Sequence, residues 1–278
     1  MSGHIQTETY YADRDEKFRH EKPYELKFSP PEDFPLTNMT WSRYDGIHVT
    51  DIRGHESQYN ARDHGFQLVP MRTALLYEDF GNPQKVEQVY MKEVAACLQS
   101  NLDAARVLVF DYNIRKSQAQ YPLSSGEAAS FETPATIVHI DSTQSWTAHM
   151  HSHYCESESD LAKFARYQYV NLWRPLKGPV KKWPLMLCDW STYDPAQDAI
   201  ARDIVYPDDA VETYVIYHNP KHRFFYSSNQ TSEEAWIMVQ TDSSHAKGSV
   251  PHTAFPTAKD MDDEERESIE VRALVYYD

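Results

Sequence analysis

A chain of 278 residues with 41% hydrophobic and 13% aromatic side chains can bury a large core, which excludes a disordered or low-complexity protein. Its formal net charge of −15 repels phosphate backbones and anionic bilayers, so nucleic-acid and membrane-surface partners are not expected. Cys97, Cys155 and Cys188 lie too far apart for a disulfide framework or a thiolate zinc site. The opening residues lack the apolar core of a signal peptide, and no run of about 18 apolar residues follows. A cytoplasmic protein is the expectation, with homo- or hetero-oligomers left open. The sequons at Asn38 and Asn229 are then incidental.

Residues 1–45 are polar, Tyr-rich and broken by Pro23, Pro30, Pro31 and Pro35, which predicts an arm or lid packed on a core, with few regular elements. Residues 46–278 read as one domain. Between Gly46 and Val69 two short strands are expected, with Gly54 and Gly65 as turn residues. Val86, Val89, Tyr90, Val94, Cys97 and Leu98 form a helical stripe over Gln84–Leu98. Arg106–Asp111 and Ala135–Asp141 read as buried strands lying side by side. Ser157 or Ser159 is a candidate N-cap for a short helix through Leu161, Phe164 and Ala165. Strands are then expected at Tyr169–Pro175 and Pro184–Asp189. More follow at Thr213–Tyr217, Phe224–Ser227, Ala235–Gln240, Val250–Phe255 and Ser268–Tyr277. Their spacing of about 8–12 residues points to a mainly β sandwich or barrel with flanking helices. The acidic run Asp260–Glu265 reads as a solvated loop, since it lacks the spacing of a calcium loop.

Side chains alternate across a strand, so His139 and Asp141 share a face about 6.6–7 Å apart along the chain. An imidazole and a carboxylate suit a borderline divalent ion. With His252 as a third ligand they make the two-His-one-carboxylate set of non-haem iron oxygenases, which leaves positions open for substrate and dioxygen. Taken alone, His-x-Asp also describes many hydrogen-bonded strand residues. Arg266 and Ser268 share a face of the last strand, where a guanidinium and a hydroxyl suit the far carboxylate of a 2-oxo acid. The bland alternative for Arg266 is an ion pair at an exposed strand edge.

His149, His151 and His153 would line one face if they lay on a strand, a solvated or substrate-facing strand being the plainer reading. A cupin-like metal site is the rival one. His218 and His222 look like turn residues around Asn219-Pro220. With only 8 Gly, the chain has no Gly-rich phosphate loop and no Gly-x-Ser-x-Gly nucleophile elbow.

Several segments together resemble the AsaB-type hydroxylase/desaturases of fungal secondary metabolism, which have relatives among cephamycin methoxylase subunits and gibberellin desaturases. They are Asp51-Ile52-Arg53-Gly54, His64-Gly65-Phe66, Val109-Phe110-Asp111 with Arg115, and Val138-His139-Ile140-Asp141. Further along come Asn171-Leu172-Trp173-Arg174-Pro175-Leu176, Pro184-Leu185, Pro251-His252-Thr253-Ala254-Phe255 and Arg266-Glu267-Ser268-Ile269-Glu270-Val271-Arg272.

The resemblance implies a double-stranded β-helix, or jelly-roll, core from about residue 106, with Fe(II), 2-oxoglutarate and O2 as cofactor and co-substrates. It assigns His139, Asp141 and His252 to the metal, and Arg266 and Ser268 to 2-oxoglutarate, with Arg272 as the alternative anchor. Asn171, Trp173 and Arg174 are candidates to face a small natural product that is hydroxylated, desaturated or rearranged. Two other readings accompany this one: a metal-only cupin-like isomerase or dioxygenase built on the His149 cluster, and a non-catalytic ligand-binding subunit of a two-component oxygenase.

Overall fold

The computed structural model describes residues 3–117, 134–245, 248–257 and 265–278. Most of the acidic run 260–265 lies outside these residues. In chain order the strands begin with β1 (His4–Ala12), β2 (Tyr24–Leu26), β3 (Trp41–Asp51), β4 (Phe66–Pro70) and β5 (Arg106–Lys116). Next come β6 (His139–Ile140), β7 (Arg166–Pro175), β8 (Leu185–Cys188), β9 (Ala199–Val205) and β10 (Ala210–Ile216). The last are β11 (Phe224–Tyr226), β12 (Glu234–Asp242), β13 (His252–Ala254) and β14 (Glu267–Tyr277). Two longer helices, α1 (Met91–Leu102) and α2 (Gln144–Ser157), flank them. No helix among the described residues is long and apolar enough to cross a membrane.

The strands form a nine-stranded sheet, β1-β3-β11-β8-β13-β6-β10-β9-β2, and a five-stranded sheet, β4-β12-β7-β14-β5. Together they make the expected jelly roll. Alternation gives the five-stranded sheet two apolar faces. On one, Val170, Leu172, Ile237, Val239, Ile269 and Val271 pack against Val86, Tyr90, Val94 and Leu98. Those four recur every fourth residue, a spacing that drifts around an ideal α-helix. A π turn over Val86–Tyr90 just ahead of α1 widens the helix and keeps the stripe on the sheet. The other face meets the large sheet, where Phe66, Trp173, Trp236 and Met238 pack against Leu185, Leu187 and Phe225. Each fully buried side chain of this size contributes roughly 1.5–3 kcal/mol.

Several expectations need correction. β5 is not beside β6: it is the edge of the five-stranded sheet, matched along its length to β14, whereas β6 lies between β13 and β10. Two apolar runs reveal burial but not which sheet each joins. Residues 4–12 are a nine-residue strand paired with β3, and β2 pairs with β9, so the N-terminal segment is woven into the large sheet.

His149, His151 and His153 lie on α2, not on a strand. Thr143 caps that helix by accepting the Trp146 N–H at 3.0 Å, and Met150 and Tyr154 join Tyr169, Leu274 and Tyr276 in its core. The segment from Ser159 to Lys163 is a 3-10 turn preceded by Glu158, which makes no side-chain cap, while Ser157 ends α2.

Candidate metal centre

β6 and β13 are neighbours in a register that pairs His139 directly with His252, and their ring centroids stand 4.5 Å apart. Val138 and Ile140 point to the opposite face, into a core with Met186 and Cys188, so His139 and Asp141 face the interior. Each imidazole is fixed by its own strand. Nδ1 of His139 donates to the Ile137 carbonyl at 2.7 Å, and Nδ1 of His252 to the Val250 carbonyl at 3.1 Å. A carbonyl only accepts, so the hydrogen sits on Nδ1 and the Nε2 lone pair is left for another partner. Asp141 Oδ1 lies 3.4 Å from His139 Nε2, and the donor atoms of all three residues fall within 4.8 Å of one another.

The charges suit an ion as well. Burial opposes ionisation of Asp141, but the His139 contact and the Arg272 charge outweigh it and hold the carboxyl well below its usual range. Burial, aided by the neighbouring His139, pushes His252 down to about 4, which keeps it neutral near pH 7 as a ligand must be. The remaining oxygen of Asp141, Oδ2, accepts from Asn171 Nδ2 at 2.5 Å and faces Arg272 Nε at 3.8 Å. Gln240 Oε1 accepts the Asp141 backbone N–H at 2.8 Å. The carboxylate is therefore braced from the second sheet.

Both histidines line a cleft together with Trp173, Arg115, Arg266 and Glu270. Arg266 is buried, donates to the Trp183 carbonyl at 2.7 Å and lies 5.5 Å from the Trp173 ring. Ser268 is also buried and, among the described residues, its hydroxyl has no hydrogen-bond partner. Burial, reinforced by Asp141, raises Glu270 to about 7 against the opposing pull of Arg272.

Arg272, the alternative anchor, is engaged elsewhere: besides Asp141 it meets Asp111 at 2.7 Å and Glu270 at 3.4 Å. Trp173 lines the cleft and Asn171 touches Asp141, but Arg174 does not join them. Alternation turns it to the α1 side, where it donates to the Ser232 carbonyl at 2.6 Å and lies 5.6 Å from the Phe80 and Tyr90 rings. The α2 histidines stay apart from the site, since His151 stacks on Tyr167 and the His149 ring lies tilted against Trp146. On a helix, positions two apart face opposite ways, which removes the basis for a cupin-like cluster. Glu270 and Gln240 were not singled out from the sequence. Glu270 shares the parity of Arg266 and Ser268 and was findable on that ground; Gln240 carries no such signal.

Two imidazoles and an ionised carboxylate form a facial donor set for a borderline metal such as Fe(II). The solitary Ser268 hydroxyl beside Arg266 fits a carboxylate ligand, so the residues present suit iron with a 2-oxo acid.

Comparison with known proteins agrees. The chain is 28% identical over 250 residues to hydroxylase/desaturase efuI of Hormonema carpetanum, covering 83% of each. It is 27% identical over 236 residues to alpha-ketoglutarate-dependent dioxygenase tstK of Talaromyces stipitatus, covering 83% of this chain and 84% of tstK. Among solved structures it shares the fold of the iron and alpha-ketoglutarate-dependent endoperoxidase NvfI, with a TM-score of 0.85 and 24% identity over 99% of this chain and 98% of that one. The family described as oxidoreductase/YMDC permease-like domain matches residues 9–276, and the chain belongs to that family.

Proposed function

We propose that this protein is an Fe(II)/2-oxoglutarate-dependent oxygenase that hydroxylates, desaturates or rearranges a small natural product of secondary metabolism. The observation that carries the reading is the convergence of His139, Asp141 and His252 beside a cleft that also contains Arg266. The names of efuI, tstK and NvfI support it. When bound, iron with 2-oxoglutarate and dioxygen supplies an oxidant able to take hydrogen from an unactivated C–H bond, with succinate and carbon dioxide as co-products.

The chain's own part is binding, orientation and exclusion of water. His139 and His252 offer Nε2, and Asp141 offers Oδ1 while Asn171 and Arg272 hold its second oxygen aside. With its second oxygen so held, Asp141 would offer a single oxygen to an ion bound here. Arg266 and Ser268 take the far carboxylate of 2-oxoglutarate, the guanidinium giving charge and direction and the hydroxyl a further hydrogen bond. Trp173, buried in the cleft wall, keeps water from the reacting end.

The test is anaerobic: mix the protein with Fe(II) and 2-oxoglutarate and record the visible charge-transfer band of the chelate. The wild type gives the band. Asp141→Ala loses it with its metal, whereas Arg266→Ala retains iron and needs at least tenfold more 2-oxoglutarate. A wild type without the band contradicts the function, and unchanged 2-oxoglutarate affinity in Arg266→Ala contradicts the anchor.

A further inference from the structure

The row of inward-facing groups that includes Asp141 continues across the large sheet. His139 pairs with Val215 and Ile140 with Tyr214, while Val215 pairs with Ile200 and Thr213 with Arg202. Residues directly opposite one another share a face, so Val215, Thr213 and Arg202 point to the same side as His139. Extending that register by one residue sets Asp141 alongside Thr213. Arg202 is 6% exposed and Thr213 4%. Burial pulls the Arg202 guanidinium below its usual range, with Glu25 and Asp141 acting the other way.

The hydrogen bonding of this pair is incomplete. Arg202 Nη1 donates to Glu25 Oε2 at 2.7 Å, yet Arg202 Nε and Thr213 Oγ1 have no partner among the described residues. Buried donors are nearly always satisfied, so two orphans on adjacent strands call for an acceptor. The surroundings define its chemistry. Val215 and Ile200 cluster with Met39 and Trp41, and the Trp41 ring lies 5.9 Å from the guanidinium, so an apolar wall adjoins the donors. Glu25 already balances the charge of Arg202, which favours a neutral acceptor over an anion. Ser268 belongs to the facing sheet and Arg266 immediately precedes its strand, and neither Arg202 nor Thr213 lines the 2-oxoglutarate cleft, so this second polar point is separate from it.

We propose that Arg202 and Thr213 form a subsite for the organic substrate, gripping a carbonyl oxygen on an otherwise apolar skeleton and so choosing which C–H bond faces the metal. The assignment rests on the oxygenase reading above. Its test uses anaerobic protein loaded with Fe(II) and saturating 2-oxoglutarate, titrated with 1-indanone and, separately, with indane, which lacks the carbonyl. Binding is read from the shift of the charge-transfer band and from tryptophan fluorescence.

The wild type prefers the ketone at least tenfold. Thr213→Val, which leaves the Arg202–Glu25 pair intact, cuts that preference several-fold; the double variant Glu25→Gln, Arg202→Met abolishes it. Both variants keep the wild-type affinity for 2-oxoglutarate. A wild type that binds neither probe or does not discriminate, variants with undiminished preference, or a ketone that displaces 2-oxoglutarate would each overturn the subsite. A wild type with no band at all overturns the oxygenase reading and the subsite with it.

Discussion

In the proposed metal centre, Asn171 would govern a ligand without touching the ion. Its amide donates to the Asp141 oxygen turned away from the imidazoles, at 2.5 Å. Removing such a partner commonly weakens metal binding by roughly 10–100-fold, and that range is expected for Asn171→Ala in an anaerobic Fe(II) titration. Its thermal midpoint without metal should stay near the wild type, which separates loosened ligation from misfolding. Arg272→Leu is different in kind, because it leaves Asp141, Glu270 and Asp111 facing one another. A loss of about 3–5 kcal/mol is expected in urea unfolding, and a loss under 1 kcal/mol would mean that solvent already screens the cluster.

The sequence made the two histidines and Asp141 legible because two-residue alternation and ligand chemistry are local properties. The task of Arg272 was not legible, since Asp141 is 131 positions away on another sheet and only the fold decides which arginine reaches it.

Among elements, the one-turn helix before β4 bears most directly on the site. Gly65 closes that turn with φ +83°, and an added Cβ would lie 2.5 Å from Val250 Cγ2 and 2.7 Å from the Trp190 ring. Val250 carries the carbonyl that orients His252. Gly65→Ala should therefore cost about 1–3 kcal/mol and also weaken iron binding, measured by urea unfolding and by anaerobic titration. Loss of stability with intact iron affinity would mean that the strain stops short of β13. At α2, Thr143→Ala removes the N-cap and should cost about 1 kcal/mol.

The alternating His-x-His-x-His run has the two-residue period of a strand, which hides that helix, and its cap lies upstream at Thr143. β9 escaped notice for a related reason: Arg202 and Asp203 interrupt the apolar pattern in mid-strand. The first of these charges faces inward, which is why it matters.

Across the whole molecule, the jelly roll was legible from strand spacing and from family resemblance, whereas the allocation of strands to sheets required long-range pairing. Ion pairs tie distant segments together. Glu267 at the start of β14 accepts from Lys177, Lys116 and Tyr77. Burial alone would raise its carboxyl, but these hydrogen bonds hold it down to about 2 from an ordinary 4.5. A depressed carboxyl stabilises the folded state above its unfolded pKa and loses that contribution as pH falls toward the folded one. The melting-temperature gap between wild type and Glu267→Gln should therefore be widest near pH 6 and narrow steadily toward pH 3. A gap that does not change with pH would assign Glu267 a packing role instead.

The groups that would grasp the ion stand on one curved wall, while those that steady Asp141 and receive the co-substrate stand on the wall opposite. Any substitution that shifts how closely these walls approach must alter the ligand field, even when it lies far from the histidines. A bound transition metal would thus act as a spectroscopic gauge of the seam, sensing changes in spacing too small to lower the melting temperature.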